Sequence, residues 1–397
     1  MKSLAVNGGS PVRTKAFPDW PIFGQEEEKL LLEVLHSGKW GGTGRIKLQE
    51  LEDKFAAYHD AKYAVSCVNG TIALTIAMQA VGVQPGDEVI IPSYTFIATA
   101  TSALLFGAIP VIVDVAPDSL LIDPDKVEAA ITPKTKAIIA VHIAGAPANM
   151  SRLKEIADKH KLKLIEDSAQ AVGAKWEGRG IGAIGDAGTF SFQSSKNINA
   201  GEGGMILFND EEVADRAWSI ANVGRIRSGA WYQHEHIGWN LRMTEFQAAI
   251  LLAQMGRLDE QIKLRENNSR LLTAGLSAID GIECFGRDPR ITVHANHLYM
   301  FKLNKALADR VNKEDVIKQI NAEGIPVASG YVPLNKNKAI LTEIEKWTGE
   351  KREFSCPVSE RASEKDVLWL HQNVLLGTEE DIQDIVTAVE KVVRTYE

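Results

Sequence analysis

Residues 189–204 read TFSFQSSKNINAGEGG, a short apolar run that leads into Lys196 and a glycine-rich turn. The alternation at 189–192 predicts a strand, and the Ser, Asn and Gly cluster behind it predicts a loop. Residues 201–204 are expected to turn tightly, so that the next strand returns beneath the lysine. Most loop lysines are solvated surface charges, so the rest of the chain decides whether Lys196 has a chemical role.

This stretch belongs to a longer alternation of apolar strands and helical segments between residues 63 and 209. Strands are predicted at residues 64–68, 88–91, 111–115, 137–141, 163–166, 189–192 and 205–208. Helices are predicted between them at residues 71–81, 97–106, 124–130 and 150–160. Apolar strands separated by helices predict an α/β fold with a mostly parallel seven-stranded sheet covered on both faces.

The flanking regions predict a second, smaller unit. Helical patterns occupy residues 25–37, 46–58 and 211–272, the last interrupted by an irregular stretch at 224–240. Beyond residue 272, alternating segments at 299–303 and 326–332 are combined with helices at 313–323 and 379–396. We therefore expect a large domain over residues 1–260, which includes the N-terminal segment 1–60, and a small α+β domain over residues 261–397.

Composition narrows the class of protein. The 397 residues are 45% hydrophobic and 24% charged, and the formal net charge is −8. These are values of soluble globular chains, and the acidic balance favours small molecules over nucleic acid or an anionic membrane as partners. No apolar run approaches the roughly 20 residues of a membrane span, so a cytoplasmic protein is expected. The spacing of the three cysteines and nine histidines predicts no metal site.

Chemically capable residues follow the predicted strands, at the ends where open α/β sheets bind ligands. They are Asn69, Gly70, Thr71, Phe96, Asp167, Gln170, Ser191, Gln193 and Lys196. A lysine amine, a carboxylate, a flat aromatic ring and a phosphate-binding helix start are together what pyridoxal 5'-phosphate (PLP) requires. These residues therefore predict a PLP site.

Each of these residues also has an ordinary structural interpretation. Asp167 and the Asn69-Gly70-Thr71 run can serve simply as helix caps, and a lone Phe96 is more often a core residue. As site residues, Asp167 would face the ring nitrogen, and Ser191 and Gln193, on one side of a strand, would donate to the phosphate. Gln170 lies one helical turn beyond Asp167 and can face the same ligand.

Five segments then carry a family resemblance. GTIALTIAMQAVGVQPGDEVIIPSYTFIATA, VHIAGAPANM, IEDSAQAVGA, FSFQSSKNINAGEGG and WNLRMTEFQAAI follow one another in this order. They resemble the corresponding blocks of the DegT/DnrJ/EryC1/StrS family of PLP-dependent sugar aminotransferases, and the similarity runs over nearly the whole chain.

The resemblance implies PLP fold type I, an aspartate aminotransferase-like architecture, and a homodimer with active sites at the subunit interface. By position, Lys196 matches the lysine that holds the cofactor covalently, and Asp167 matches the partner of the ring nitrogen. The remaining matches are Gln170 to the ring hydroxyl, Phe96 to the stacked ring, Gly70, Thr71 and Ser191 to the phosphate, and Asn240 to the phosphate of the other subunit.

Segments near both ends, GGSPVRTKAFPDWP and PVSERASEKDVLWLHQNVLL, most resemble the subgroup that aminates keto-cyclitols of the L-glutamine:scyllo-inosose type. Asn335, where many sugar-nucleotide members have His, and His371, where they tend to have Pro, depart from the wider family. Both are expected to face the substrate, which weakens the case for a nucleotide-sugar acceptor. His142, Tyr94, His297, Tyr299 and Arg225 are further candidates for lining the site.

The leading hypothesis is ping-pong transamination from L-glutamine or L-glutamate to a keto-sugar or keto-cyclitol, with pyridoxamine phosphate as the intermediate cofactor form. A PLP- or pyridoxamine-phosphate-dependent sugar dehydratase is an alternative, although such relatives replace the lysine by histidine. A non-catalytic PLP-binding regulatory protein is another. A nicotinamide-dependent Rossmann enzyme is disfavoured, because no GxGxxG motif follows the first predicted strand.

Overall fold

The computed structural model describes residues 3–42 and 45–396. Its strands are β1 (Tyr63–Cys67), β2 (Glu88–Pro92), β3 (Ile109–Val113), β4 (Thr135–Val141), β5 (Lys163–Asp167), β6 (Lys175–Trp176), β7 (Arg179–Gly180), β8 (Ala187–Ser191), β9 (Gly204–Phe208), β10 (Ile282–Cys284), β11 (Ile291–Val293), β12 (Leu298–Leu303) and β13 (Val367–His371). Seven of them form one sheet in the order β1–β9–β8–β5–β4–β2–β3.

The helices are α1 (Gln25–Ser37), α2 (Lys47–Tyr58), α3 (Gly70–Ala80), α4 (Ala98–Leu104), α5 (Pro124–Ala129), α6 (Met150–His160), α7 (Glu211–Ala221), α8 (Glu245–Met255), α9 (Leu258–Leu276), α10 (Lys305–Ala308), α11 (Lys313–Ala322), α12 (Lys338–Thr348), α13 (Pro357–Arg361) and α14 (Glu379–Val393). Helices predicted in the sheet region and at both ends of the chain occur at these places. The predicted α/β fold is confirmed.

All seven predicted strands belong to the large sheet. Strands β3, β2, β4, β5 and β8 run parallel to one another, and β9 is antiparallel to both of its neighbours, β8 and β1. β3 begins two residues earlier than predicted, because Ile109 pairs with Glu88 at the start of β2. Five consecutive parallel strands bring their carboxyl ends to one edge of the sheet.

Burial explains why these strands show little polar alternation. Every residue of β2, β8 and β9 is buried, as expected for a sheet covered on both faces. α3 packs on one face with Ile76 and Met78 in the core, while β5 buries Leu164 against the opposite layer. At ~25 cal/mol per Å² of apolar area, such continuous burial is the main stabilising term of the sheet.

The C-terminal part forms a second hydrophobic cluster around the three-stranded sheet β10–β12–β13. The predicted boundary at residues 260 and 261 falls within α9, whose end contributes Leu272 and Leu276 to this cluster. Leu4 belongs to the same cluster, so the first described residues of the chain pack here. The division into two domains stays a prediction.

One expectation for this region is wrong, and one strand was missed. Residues 326–332 form no strand, because only Ala328 pairs with a neighbour, as an isolated bridge to Trp369. β12 pairs with β10 on one side and with β13 on the other, and β13 was not predicted from the sequence. Its bulky apolar residues look alike in strand and helix, and only the pairing with β12 decides between them.

Two features of the described ranges bear on other classes of protein. Across residues 3–42 and 45–396, no helix combines the length and apolarity needed to cross a bilayer. The same residues contain no group of three or more His, Cys, Asp or Glu side chains arranged to hold a metal ion.

Candidate active site

Lys196 lies in the loop that connects β8 to β9 at the carboxyl edge of the sheet. Its backbone N–H donates to Gln193 O at 2.9 Å, and its side chain is half-buried. Within the described residues, no hydrogen bond or ion pair engages the Lys196 Nζ atom. Burial lowers the pKa of the Lys196 ammonium to about 8, against a smaller opposing effect of Asp167. A lysine with a lowered pKa is a stronger nucleophile near neutral pH.

The glycines behind the lysine form the expected tight turn. Gly201 and Gly203 have φ values of +77° and +153°, conformations that side-chain-bearing residues rarely adopt. A Cβ atom on Gly204 would lie 2.5 Å from Asn69 O, at the start of α3. Glycine is therefore needed for β9 to return close to the α3 N-terminus.

Asp167 is the last residue of β5, and it is buried at the same edge of the sheet. Thr99 Oγ1 donates to Asp167 Oδ2 at 2.9 Å, and the Ala169 N–H donates to Oδ1 at 3.3 Å. Burial raises the pKa of the Asp167 carboxyl, and the Thr99 hydrogen bond only partly offsets this. Asp167 and Lys196 lie close enough for their charges to interact, so a cation in this crevice would favour the ionised carboxylate.

The N-terminus of α3 has the donors that the predicted phosphate site needs. Asn69 caps the helix by accepting from the Ile72 N–H at 2.9 Å, which leaves the N–H groups of Gly70 and Thr71 without a protein acceptor among the described residues. A Cβ on Gly70 would lie 2.7 Å from Ser191 Cβ, so the two backbones are in contact. The Ser191 hydroxyl, two backbone donors and the helix dipole thus converge at one point.

Gln170 is buried and held in one orientation. Its Oε1 accepts from the Ala144 N–H at 2.7 Å, and its Nε2 donates to the Tyr331 hydroxyl at 3.0 Å. Tyr331 comes from the C-terminal part of the chain and packs edge-on against Trp369, with ring centroids 4.7 Å apart. The Tyr331 hydroxyl therefore joins this part of the chain to the crevice, a role that no motif in the sequence indicates.

Phe96 and Gln193 differ in how well they match their predictions. Phe96 is 53% exposed and its ring centroid is 6.3 Å from that of Tyr331, so it is not a core residue and is accessible to a ligand. β8 ends at Ser191, so the expectation that Gln193 shares its strand face is wrong. Gln193 Nε2 instead donates to Ser194 Oγ, and Gln193 Oε1 accepts from Ser195. Its contact with a phosphate stays a prediction.

Asn240 is not brought to the crevice within a single chain. It is exposed, and its backbone forms an isolated bridge with Asn222. The irregular stretch 224–240, which ends at Asn240, exposes Trp231, Tyr232 and Ile237. No hydrogen bond of the described residues joins the Asn240 side chain to the other predicted site residues.

His142 and its neighbour Glu166 are core residues. His142 Nδ1 accepts from the Ala148 N–H at 2.9 Å, so the proton lies on Nε2, which donates to Glu166 Oε2 at 3.2 Å. Both side chains are fully buried, so His142 does not line the crevice. Glu166 directly precedes Asp167, and this buried pair therefore supports the strand end that carries Asp167.

Of the other four candidate lining residues, three are buried and one lies in an exposed stretch. Tyr94 is buried, with its hydroxyl accepting from the Tyr331 N–H at 3.4 Å, and Tyr299 is buried in the C-terminal core. His297 is buried next to the lysine loop, where its Nδ1–H donates to Asn197 Oδ1 at 3.0 Å. Arg225 lies in the exposed stretch, with its guanidinium 5.6 Å from the Trp231 ring centroid.

The expectation that Asn335 faces the substrate is wrong. Its side chain is buried, Oδ1 accepts from Ser93 Oγ at 2.8 Å, and Nδ2 donates to Phe354 O and Glu360 Oε1. Asn335 is thus a structural residue, because all of its amide hydrogen-bonding groups have protein partners. His371 is exposed at the end of β13.

A cavity of about 1230 Å³ also lies beside α9, but its lining contains none of the nine predicted site residues. Arg270, Arg287, Glu266 and Asp288 line it, so its charges are mixed. The predicted chemistry belongs instead to the edge of the sheet at Lys196, Asp167 and the α3 N-terminus, which has the kinds of group that PLP requires. A lysine and a buried carboxylate at this edge of a mostly parallel seven-stranded sheet are the arrangement expected of a PLP-dependent enzyme of fold type I.

Comparison with known proteins supports the same class of enzyme. The profile of the DegT/DnrJ/EryC1/StrS aminotransferase family matches residues 21–390. L-glutamine:2-deoxy-scyllo-inosose aminotransferase of Streptoalloteichus tenebrarius is 38% identical, over 99% of this chain and 98% of that protein. The chain belongs to the DegT/DnrJ/EryC1/StrS family, and it is a PLP-dependent aminotransferase.

Solved structures show the same architecture. The crystal structure of 3-amino-5-hydroxybenzoic acid synthase is 34% identical and superimposes with a TM-score of 0.88, covering 96% of this chain and 100% of that one. The Bacillus subtilis protein NtdA, solved with the bound cofactor PMP, is 28% identical with a TM-score of 0.81, covering 93% of this chain and 81% of that one. The aspartate aminotransferase-like fold expected from the sequence is confirmed.

Proposed function

We propose that this protein binds PLP in the crevice at Lys196 and transfers an amino group from L-glutamine to a keto-cyclitol. One observation carries the assignment of the site. A half-buried lysine without a protein partner among the described residues shares a crevice with the buried carboxylate of Asp167, beside an open helix N-terminus. A surface lysine would be solvated, and a structural buried lysine would be paired.

The residues present fit the cofactor. Lys196 would hold it covalently, Asp167 would face the ring nitrogen, and Phe96 would cover one ring face. The N–H groups of Gly70 and Thr71 would bind the phosphate together with the Ser191 hydroxyl, which lies against Gly70. Gln170, fixed by its bond to the Ala144 N–H, would meet the ring hydroxyl. When bound, PLP withdraws electrons from the substrate carbon attached to it.

The side chains of the protein would transfer the proton and keep the ring nitrogen of the cofactor charged. The pKa of about 8 leaves an appreciable fraction of Lys196 as the neutral amine near neutral pH. That amine would remove the proton from Cα of the amino donor and deliver it to the cofactor, and in the second half of the reaction it would carry a proton from the cofactor to the acceptor carbon. Asp167, oriented by Thr99, would keep the ring nitrogen protonated while this occurs.

Support for the substrates comes from relatives. The Streptoalloteichus enzyme is named for L-glutamine and 2-deoxy-scyllo-inosose, and it matches this chain over nearly its full length. A keto-cyclitol acceptor with L-glutamine as donor is therefore the substrate pair that we propose, with L-glutamate and a keto-sugar as the nearest alternatives. Because Asn335 is a structural residue, its identity carries no information on the acceptor.

We also propose a homodimer in which Asn240 reaches the phosphate of the partner's site. The stretch 224–240 supports this, because Trp231 and Tyr232 are 73% and 77% exposed and Ile237 is 84% exposed. Exposed apolar side chains on one segment are typical of an interface.

The test is the donor half-reaction, followed as release of the keto acid from L-glutamine by the PLP-loaded protein. Lys196→Ala should abolish it, and Lys163→Ala, which alters an exposed lysine paired with Asp186, should leave it unchanged. An undiminished half-reaction in Lys196→Ala would refute the assignment. Supplying 2-deoxy-scyllo-inosose to the donor-treated protein then tests the acceptor by the appearance of the aminated cyclitol.

A further inference from the structure

The loop that carries Lys196 is held from two opposite sides by buried amide side chains. It leaves β8 and returns to β9 through the cross-loop bonds Ala200 N–H to Phe192 O and Phe192 N–H to Gly203 O. These bonds close the base of the loop. They do not fix the segment 196–199 at its far end, which needs other partners.

Gln254 of α8 holds one side. Its Oε1 accepts from the Asn199 N–H at 2.9 Å, and its Nε2 donates to Asn199 O at 2.9 Å. Both residues are buried, with exposures of 3% for Gln254 and 4% for Asn199. One amide therefore satisfies both backbone groups of a residue three positions from Lys196, as a neighbouring strand would.

Asn197 holds the opposite side. Its Nδ2 donates to Ala295 O at 2.8 Å, and its Oδ1 accepts from His297 Nδ1 at 3.0 Å. Ala295 and His297 belong to the connection between β11 and β12. The residue directly after Lys196 is therefore tied to a different part of the chain from the one that holds Asn199.

Gln247 provides an internal comparison on the same helix. It lies two turns before Gln254, on the same face of α8, and its Nε2 donates to Glu202 O at 2.8 Å. That bond reaches the glycine turn, while Gln247 Oε1 accepts from the N–H and hydroxyl of Thr244 and so caps the start of α8. Gln247 is also more exposed than Gln254. Helix α8 thus touches the loop twice, but only Gln254 holds the segment next to the lysine.

We propose that Gln254 and Asn197 are positioning residues that together clamp the backbone around Lys196, so that its amine meets the reacting carbon in one orientation. This proposal rests on the proposed role of Lys196. Neither residue needs to touch substrate or cofactor. They restrict small movements of the loop that would displace the Lys196 amine from the reacting carbon. A misplacement of about 1 Å can cost on the order of 100-fold in rate.

The test uses Gln254→Met, which has a similar volume and removes both bonds to Asn199, with Gln247→Met as the matched control. We expect Gln254→Met to bind PLP, since the ring and phosphate partners are intact, but to lose about 10- to 100-fold in kcat of the donor half-reaction, with little change in KM for L-glutamine. Gln247→Met should keep both constants.

A second readout does not depend on turnover. Borohydride reduction of the PLP-loaded protein fixes the cofactor to its lysine, and mass spectrometry gives the fraction modified as a function of pH. A loosened, better solvated Lys196 should shift the midpoint of this profile upward in Gln254→Met. Asn197→Ala applies the same two measurements from the opposite side of the loop, so the clamp can still be tested if Gln254→Met does not fold.

The outcomes separate the two proposals. If Lys196→Ala keeps the half-reaction, the proposed role of Lys196 fails. If Lys196→Ala is inactive while Gln254→Met and Asn197→Ala keep the wild-type kcat and pH midpoint, the clamp alone is overturned. A fall in kcat with a shifted midpoint in either variant, and neither change in Gln247→Met, supports it.

Discussion

The buried carboxylate of Glu166 makes a quantitative prediction about how the Asp167 strand end is held. Glu166 Oε1 accepts from the N–H groups of Ile184 and Gly185, each at 2.7 Å. Its Oε2 accepts from the Gly182 N–H at 2.8 Å and from His142 Nε2 at 3.2 Å. Burial acts to raise the pKa of this carboxyl, but the His142 bond and the bonds of Gly185 and Gly182 outweigh it and hold the pKa below its ordinary value.

Glu166→Gln changes one oxygen to an NH₂ group and nothing else in shape. In either amide orientation, two of the four donors then face another donor. His142 cannot adapt by moving its proton, because its Nδ1 must accept from the Ala148 N–H. Each buried donor left unsatisfied costs about 1–3 kcal/mol, so the substitution should destabilise this region by about 2–6 kcal/mol.

Native-state hydrogen exchange measures this locally. Amides of residues 182–185 should exchange at least about 30-fold faster in Glu166→Gln, since 1.4 kcal/mol corresponds to a factor of ten. The control is Glu155→Gln, because the Glu155 side chain is 66% exposed and, among residues 3–42 and 45–396, forms an ion pair only with Arg152, a surface contact worth about 0–1 kcal/mol. Exchange in Glu166→Gln that stays as slow as in Glu155→Gln would refute the reasoning.

Three further predictions concern the cofactor crevice. The rate at which PLP becomes attached to the cofactor-free protein should rise with pH and be half-maximal near pH 8. The reason is that the neutral amine of Lys196 is the nucleophile and the pKa of its ammonium is lowered to about 8. A half-maximal rate near pH 10.5 in stopped-flow measurements would contradict this. Asp167→Asn should still bind PLP but slow the donor half-reaction on the order of 100-fold, because an amide does not favour a protonated ring nitrogen. A wild-type rate in single-turnover kinetics would count against Asp167 as the partner of the ring nitrogen. Phe96→Ala should weaken PLP binding about 2- to 10-fold in an absorbance titration, the worth of a stacked ring, and an unchanged Kd would show that Phe96 is no stacking partner.

Much of the fold was predictable because the pattern of apolar runs and helices is strong between residues 63 and 209. The features that could not be predicted are those that depend on which strands pair in the folded protein. Neither the start of β3 nor the existence of β13 can be derived locally, because Ile109 and Val367–His371 are defined by their neighbours β2 and β12. The segment 326–332 shows the opposite error, in which strand-like alternation finds no partner strand except at Ala328.

The predicted site was recognisable for the residues that follow strand ends, and Lys196, Asp167, Gly70 and Ser191 do lie at one edge of the sheet. The supporting residues were not recognisable. Thr99, Tyr331, Gln254 and Asn197 act through tertiary contacts, and an isolated Thr, Tyr or amide has no distinctive sequence signal. Gln193 was misplaced because strand periodicity was extended two residues beyond the end of β8.

Lys196 is, in our proposal, the residue that holds the cofactor, and the proposed chemistry depends on it most directly. Borohydride reduction of the PLP-loaded protein, followed by proteolysis and mass spectrometry, locates the attachment point. We predict a reduced cofactor adduct on the peptide that contains Lys196 and no adduct in Lys196→Ala. An adduct on a different lysine of the wild-type protein, or one of equal extent in Lys196→Ala, would contradict this.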